Sequence, residues 1–174
     1  MAYTYSKLAE STVGVGNAAA ITFSNIPQNY TDLVLKLSHR GTTTSGARDS
    51  LFASLSFNGG AITPSTRFLR ASGGTPTASS TGGPTGGYVD SSSFTVSTFS
   101  NTEIYIPNYS GSNVKSYSMD SVTEQNTSGW DTILGMGALL LNSVAAINSI
   151  SMSLDYGSFV QYSTATLYGI RVEI

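Results

Sequence analysis

The stretch VQYSTATLYGIRV, residues 160–172, decides the fold. Alternate residues of an extended chain point to the same side, and from Val160 onward every second residue is apolar, aromatic or threonine. These residue types also favour strands over helices. The stretch therefore predicts a long strand that ends the chain. The residues that share one face of this strand are Val160, Tyr162, Thr164, Thr166, Tyr168, Ile170 and Val172.

The same two-residue period occurs in three upstream segments, residues 31–40, 51–57 and 149–154. Turn residues separate such segments, and Asn58-Gly59 has the sequence of a tight hairpin turn because both residue types tolerate a positive φ. About eight to ten short strands can be counted, at the spacing of a sandwich or barrel. We therefore predict a single all-β domain over residues 1–174, an antiparallel, jelly-roll-like β-sandwich.

Two segments depart from this simple alternation. In residues 132–141, Gly135 and Gly137 would each cost a helix about 1 kcal/mol relative to alanine, so this segment is interpreted as a buried strand with close backbone approach. Residues 73–93 are nearly all glycine, serine, threonine and proline, which predicts a long loop. Such a loop is either an arm that orders against a neighbouring subunit or a floppy surface loop.

The composition excludes several classes of protein. Only 10% of the residues are charged, the net charge is −2, and the eight lysines and arginines are scattered, which argues against nucleic-acid binding. The chain has no cysteine, so disulfides and thiolate metal sites are excluded. No segment approaches the roughly 20 apolar residues of a membrane span, and the N-terminus lacks the pattern of a secretory signal. We expect a soluble protein made in a cytoplasm.

No pattern in the sequence predicts catalysis, a cofactor or a metal. Residues 14–19 match G-x-G-x-x-A, but a strand and a turn follow where a dinucleotide site needs a helix. His39 is the only histidine, and no G-x-S-x-G motif accompanies it. The carboxylates are sparse, and none lies in a D-x-D-x-D-G loop. We therefore expect a protein that is not an enzyme and holds no cofactor.

The aromatic residues are better candidates for contacts with other proteins, because they offer large rigid surfaces with a polar tip. Tyr105 alternates with Ile104 and Ile106, so it should face outward from a strand. Tyr30 and Tyr109 fall in turns, and His39 falls near a strand end. The predicted interface residues are Tyr30, His39, Arg40, Tyr105, Tyr109 and Trp130.

Four segments together resemble a group of small virion structural proteins of tailed phages, especially phages of cyanobacteria and other aquatic bacteria. They are NIPQNYTDLVLKL (25–37), EIYIPNYSGS (103–112), VAAINSISMS (144–153) and GSFVQYSTATLYGI (157–170). The resemblance spans nearly the whole chain, and we know no catalytic motif of this group to transfer. It implies a β-sandwich or jelly-roll component of a phage particle.

This resemblance leads to two functional expectations. The first is a capsid decoration, or cement, protein that stabilises the head lattice by binding the major capsid protein or other virion proteins. A homotrimer would suit the three-fold positions of such a lattice. The second is a tail-fibre or receptor-binding module that recognises host surface glycans, although no heptads predict a coiled stalk. Both place the protein in the virion. A polysaccharide depolymerase is the least supported alternative, because it would need a convergent acid–base site.

Overall fold

The computed structural model describes residues 2–43, 50–61, 64–72, 75–80, 83–125 and 132–173. This part of the chain contains strands and no helix, and therefore no helix that could span a membrane. The strands are β1 (Ala2–Thr12), β2 (Ala20–Phe23), β3 (Asp32–His39), β4 (Ser50–Phe57), β5 (Gly60–Ala61), β6 (Ser65–Ser72), β7 (Thr75–Ser79), β8 (Tyr88–Asp90), β9 (Ser100–Pro107), β10 (Lys115–Val122), β11 (Ile133–Leu141), β12 (Ile150–Leu154) and β13 (Thr164–Glu173).

The strands form two antiparallel sheets. The larger sheet has eight strands in the order β1-β13-β3-β9-β10-β11-β6-β7. The smaller sheet has the order β2-β12-β4-β5, and β8 pairs with the start of β4. Side chains from both sheets meet in one apolar core, which includes Leu35 and Ile104 of the larger sheet and Ile150 and Met152 of the smaller sheet. The predicted all-β sandwich is confirmed.

The final strand is shorter than its sequence pattern suggested. It begins at Thr164, and Tyr162 lies before it in a turn with a φ of 72°. Its core side carries Ala165 and Leu167, which are buried, whereas Thr166 on the other face is only half-buried. From Thr164 to Tyr168 the predicted threonine and tyrosine face is therefore the half-buried outer face of the sheet, whereas Ile170 on the same side is buried.

The predicted number of strands and the predicted long loop are both wrong. The described residues hold thirteen strands rather than eight to ten, and residues 73–93 contain β7 and β8. Among the described residues, the exposed strand β7 pairs with β6 alone at the sheet edge, where backbone hydrogen bonds form without buried side chains. All three residues of β8 are buried. A polar composition therefore did not prevent either segment from joining a sheet.

Two local predictions are confirmed. Asn58 and Gly59 have φ values of 54° and 73° in the turn between β4 and β5, as a tight hairpin requires. The segment with Gly135 and Gly137 is strand β11, and its backbone is closely approached. A Cβ atom on Gly135 would lie 2.6 Å from the Tyr88 ring, and one on Gly137 would lie 2.8 Å from the Phe68 ring. Aromatic rings from β8 and β6 thus occupy the space that these glycines leave.

Candidate functional site

The outer face of β11 is unusual for a sandwich of antiparallel sheets, in which the outer face is normally polar. Its outward residues are Leu134, Met136, Ala138 and Leu140, and the three larger side chains are 45% to 55% exposed. The prediction of a buried strand therefore holds for the face that carries the glycines, whereas the other face of β11 is exposed. Strand β11 is therefore apolar on both faces, and one of those faces is open.

Neighbouring strands widen this apolar surface. Val122 of β10 lies opposite Leu134, and Leu69 of β6 lies opposite Met136. Tyr105 of β9 is also exposed, as predicted. Exposed apolar patches on otherwise polar surfaces commonly mark sites of protein contact. We call the surface formed by the following residues the β11 face: Leu69, Tyr105, Val122, Leu134, Met136 and Leu140.

A groove crosses the middle of the β11 face. Its floor is formed by Ser118 and Ala138, which are paired across β10 and β11. Tyr105 borders the groove on the β9 side, and Arg67 borders it on the β6 side. Two adjoining hollows of about 520 and 540 Å³ share these four residues. Because the floor residues are small, a partner side chain can sink between the larger neighbours.

The Tyr105 side chain is held in place from behind. Its hydroxyl donates a hydrogen bond to Oδ2 of Asp32 at 2.8 Å, and Oδ1 of Asp32 accepts a second bond from the Asn108 backbone N–H at 2.9 Å. Asp32 is itself buried. A ring that is already oriented loses little conformational freedom when a partner covers it. Tyr105 is therefore well suited to act as a rigid contact residue.

Charged residues of opposite sign border the β11 face on opposite sides. Arg67 lies on the β6 side, whereas Asp120 and Glu103 lie on the β10 and β9 side. Glu103 forms a 2.9 Å ion pair with Lys36. Within the described ranges, neither Arg67 nor Asp120 has an ion-pair partner. Asp120 is thus available to a partner molecule, and so is the Arg67 guanidinium apart from its Nη1, which donates to the Thr66 carbonyl oxygen at 2.8 Å.

The other predicted interface residues are placed differently. Tyr30 is half-buried, packs on Gly169 and lies 5.0 Å from the Arg171 guanidinium. His39, Arg40 and Tyr109 are buried, so their prediction as interface residues was wrong. Sequence position near a strand end or turn does not show whether a loop folds over the side chain. Trp130 lies outside the described residues.

Arg40 illustrates why such a residue can be buried. Its Nη1 donates to the carbonyl oxygens of Thr95 at 2.8 Å and Thr98 at 3.0 Å, and its Nη2 donates to that of Phe94 at 2.9 Å. A further Nη1 bond reaches the Thr98 hydroxyl, and a longer Nη2 bond reaches the Ser92 carbonyl. The guanidinium therefore holds the loop of residues 91–99 against the sandwich.

Lys115 has the same role elsewhere in the fold. It is 2% exposed, and its Nζ donates to the carbonyl oxygens of Gly111 and Asn113 at 2.7 and 2.9 Å and, at 3.3 Å, to that of Val144. Burial lowers the pKa of this ammonium group. Two basic side chains thus stabilise loops from inside the protein.

His39 and Asp90 are two further buried titratable groups, and both lie close to Arg40 and the loop of residues 91–99 in the sequence or the fold. Burial lowers the pKa of His39 to about 3, and His39 Nε2 lies 3.1 Å from the Thr102 hydroxyl. Burial raises the pKa of Asp90 to about 6, although the Thr98 hydroxyl and the Arg40 guanidinium lie close enough to favour its charged form. Neither Asp90 oxygen has a donor in hydrogen-bonding geometry.

These groups do not form a catalytic site. His39 and Thr102 are both fully buried, so a substrate cannot reach the one hydroxyl that contacts the imidazole. In the described part of the chain, no three histidine or acidic residues are grouped as metal ligands. The buried polar cluster therefore bears on stability, and the β11 face is the candidate functional site.

We expect the Asp90→Asn variant to be more stable than the wild-type protein at pH 7.5, by about 2 kcal/mol. The folded-state pKa of Asp90 is raised to about 6 from 3.8, so its contribution is most favourable below pH 3.8 and is lost as the pH rises through 6. Asparagine removes that loss. Urea unfolding at several pH values measures the effect, and exposed Asp120→Asn serves as the control.

The same variant should change the pH dependence of stability. The lowered pKa of His39 means that its contribution is present above pH 6.5 and is lost as the pH falls toward 3. Between pH 6 and 4 the contributions of His39 and Asp90 oppose each other in the wild-type protein. In the Asp90→Asn variant, the free energy of unfolding should therefore decrease more steeply than in the wild-type protein as the pH falls from 6 to 4. An unchanged profile and an unchanged stability at pH 7.5 would show that Asp90 is well solvated.

Sequence reasoning missed most of the β11 face. The signal was present in ILGMGALLL, because glycine and large apolar residues alternate from Leu134 to Gly137. A strand with its glycines on one face can bury that face beneath aromatic rings, and the large residues then point outward.

Comparison with known proteins finds no matching protein-family model, no matching curated protein and no matching solved structure.

Proposed function

We propose that this chain is a structural protein of a tailed-phage particle, and specifically a capsid decoration protein that stabilises the head lattice through protein–protein contacts. The observation that carries the proposal is the β11 face, an exposed apolar surface on a sheet whose other outward residues are mostly polar. A protein partner would cover this surface and remove its apolar side chains from water.

The character of the remaining surface supports assembly. Only 10% of the residues are charged, and Arg40 and Lys115 are buried, so fewer charges remain to keep copies apart. Decoration also suits contacts of modest size, because many copies on one lattice bind with a combined strength that a single contact lacks. The resemblance of four segments to phage virion proteins points to the same class of assembly.

A tail-fibre or receptor-binding module is the second candidate function. The groove favours it, because the Tyr105 ring stands beside the Ser118 hydroxyl and the Asp120 carboxylate. An aromatic ring with neighbouring hydrogen-bonding groups is a suitable site for a sugar ring. Under this proposal, the ligand is a host surface glycan, and Tyr105→Ala would remove its binding.

Electron cryomicroscopy of the intact particle tests the choice between these functions. A decoration protein should be present in many copies spread over the head. A few copies confined to the tail would reject decoration and favour the receptor-binding module. Absence of the chain from both head and tail would reject a structural role in the particle altogether.

A further inference from the structure

We propose that the partner on the β11 face is a second copy of this chain, related by a two-fold axis parallel to β11. The inference rests on the proposal that the β11 face binds protein, but it does not depend on where in a particle the protein sits. It is argued from the cross-strand order of the apolar and charged residues on this face.

The apolar residues are arranged so that they can pair with themselves. Leu134, Met136 and Leu140 lie in one line along β11. Rotation about an axis parallel to this line places each of them opposite its own copy. The same rotation places Val122 of β10 opposite Ala71 of β6, because both residues pair with Leu134. Apolar side chains therefore meet apolar side chains along β11 and at the level of Leu134, whereas at the level of Met136 the rotation places Asp120 of one copy opposite Leu69 of the other.

The charged residues favour a two-fold axis parallel to β11 over one that runs across the strands. Arg67 lies beside β11 on one side and Asp120 on the other. Rotation about the parallel axis brings Arg67 over β10 of the second copy, about 7 Å along the strand from Asp120. An arginine side chain can span that separation. An axis across the strands would instead bring the acidic sides, with Asp120 and Glu103, together, and like charges would repel.

The size of the face predicts the strength of the pair. From β9 to β6 the β11 face is about 14 Å wide, and from Leu134 to Leu140 it is about 20 Å long, or roughly 300 Å² in projection. A standard interface buries about 800 Å² per partner. The pair should therefore be weak and concentration-dependent in solution, and high local concentration in an assembly would favour it.

Sedimentation velocity of the full chain over a range of concentrations tests the inference. The wild-type protein should shift reversibly from monomer to dimer as its concentration rises. Met136→Lys should weaken the dimer by about tenfold or more, because two ammonium groups would meet near the axis. Within one copy the new lysine lies opposite Asp120, so the fold is expected to survive. Val15→Lys is the matched control, since Val15 is 90% exposed but lies outside the β11 face.

A charge exchange distinguishes a second copy from a foreign partner. Arg67→Glu alone should weaken the dimer, and adding Asp120→Arg should restore it, because the two signs are exchanged on both copies. Binding of a foreign partner would not be restored by this double variant, because the charges of that partner are unchanged.

Chemical crosslinking gives a further test. Since the chain has no cysteine, a short bismaleimide should join Met136→Cys into dimers but should not join Val15→Cys.

A monomer at every concentration, a trimer, or a dimer that is insensitive to Met136→Lys would overturn the inference. So would failure of the double charge exchange to restore association. The copy number on the particle is a separate measurement, so a dimer in solution without the chain on the head would reject the proposed function alone. Many copies on the head with a monomer in solution would reject the two-fold pair alone.

Discussion

Replacing Arg40 by methionine is expected to lower the free energy of unfolding by about 4 kcal/mol. Methionine fills much of the same volume but donates no hydrogen bond. The guanidinium donates to four backbone carbonyls and one hydroxyl in residues 92–98, and the side chain is buried. Its loss would leave buried carbonyl groups without donors, and the loop of residues 91–99 should loosen. Urea unfolding gives the stability, and amide hydrogen exchange locates the loosened segment.

The pH dependence of this variant provides a second readout. Arg40 favours the charged form of Asp90, so its removal should raise the pKa of that carboxyl further. The loss of stability should therefore be larger above pH 6 than at pH 4. Arg40→Lys keeps the charge but not the planar fork, and we expect an intermediate loss. Arg70→Met, at an exposed arginine, is the control. An Arg40→Met variant within about 1 kcal/mol of the wild type would contradict the role of the guanidinium.

Replacing Gly135 by valine is expected to destabilise the protein by about 3 kcal/mol, although valine favours strands. A Cβ atom at this position would lie 2.6 Å from Cε2 of Tyr88, and the ring would have to move. Tyr88 is 2% exposed and packs edge-on against Phe52, so it has little room to do so. Thermal and urea unfolding measure the loss.

Ala138→Val is the matched control for this prediction, because it changes the same strand on its open face. It should alter stability by less than about 0.5 kcal/mol. Combining Gly135→Val with Tyr88→Leu should cost less than the sum of the two single changes, since the smaller side chain relieves the overlap. Equal stability of the Gly135 and Ala138 variants would show that the Tyr88 ring is free to shift.

The burial of Arg40 and Lys115 affects both the stability of the protein and the charge of its surface. Arg40 and Lys115 are two of only eight basic residues in the chain, and both act inside the fold. Their positively charged groups donate hydrogen bonds to buried backbone carbonyl oxygens and do not lie on the protein surface. The outside of the protein is therefore rich in hydroxyl groups and poor in charge. Such a surface opposes association only weakly, which suits a protein that works as part of an assembly.

Sequence periodicity by itself determined that this protein is built of strands, although it missed the short strands β7 and β8. Leu33, Leu35 and Leu37 are buried on one face of β3, as their alternation indicates. Tyr105 faces outward, and the Asn58-Gly59 turn has the expected backbone conformation. These features depend on residues two positions apart or on the two residues of a turn, so local chemistry is enough to specify them.

Only the tertiary structure decided which face of an apolar strand lies inside. Periodicity shows which residues of β11 share a face, but the covering of the glycine face by the Tyr88 and Phe68 rings depends on segments far away in the sequence. The burial of Arg40 likewise depends on a loop some fifty residues downstream, and the His39 ring stacks on Phe159, which is still further along the chain. Exposure is a property of what packs against a residue, and packing joins distant parts of the chain.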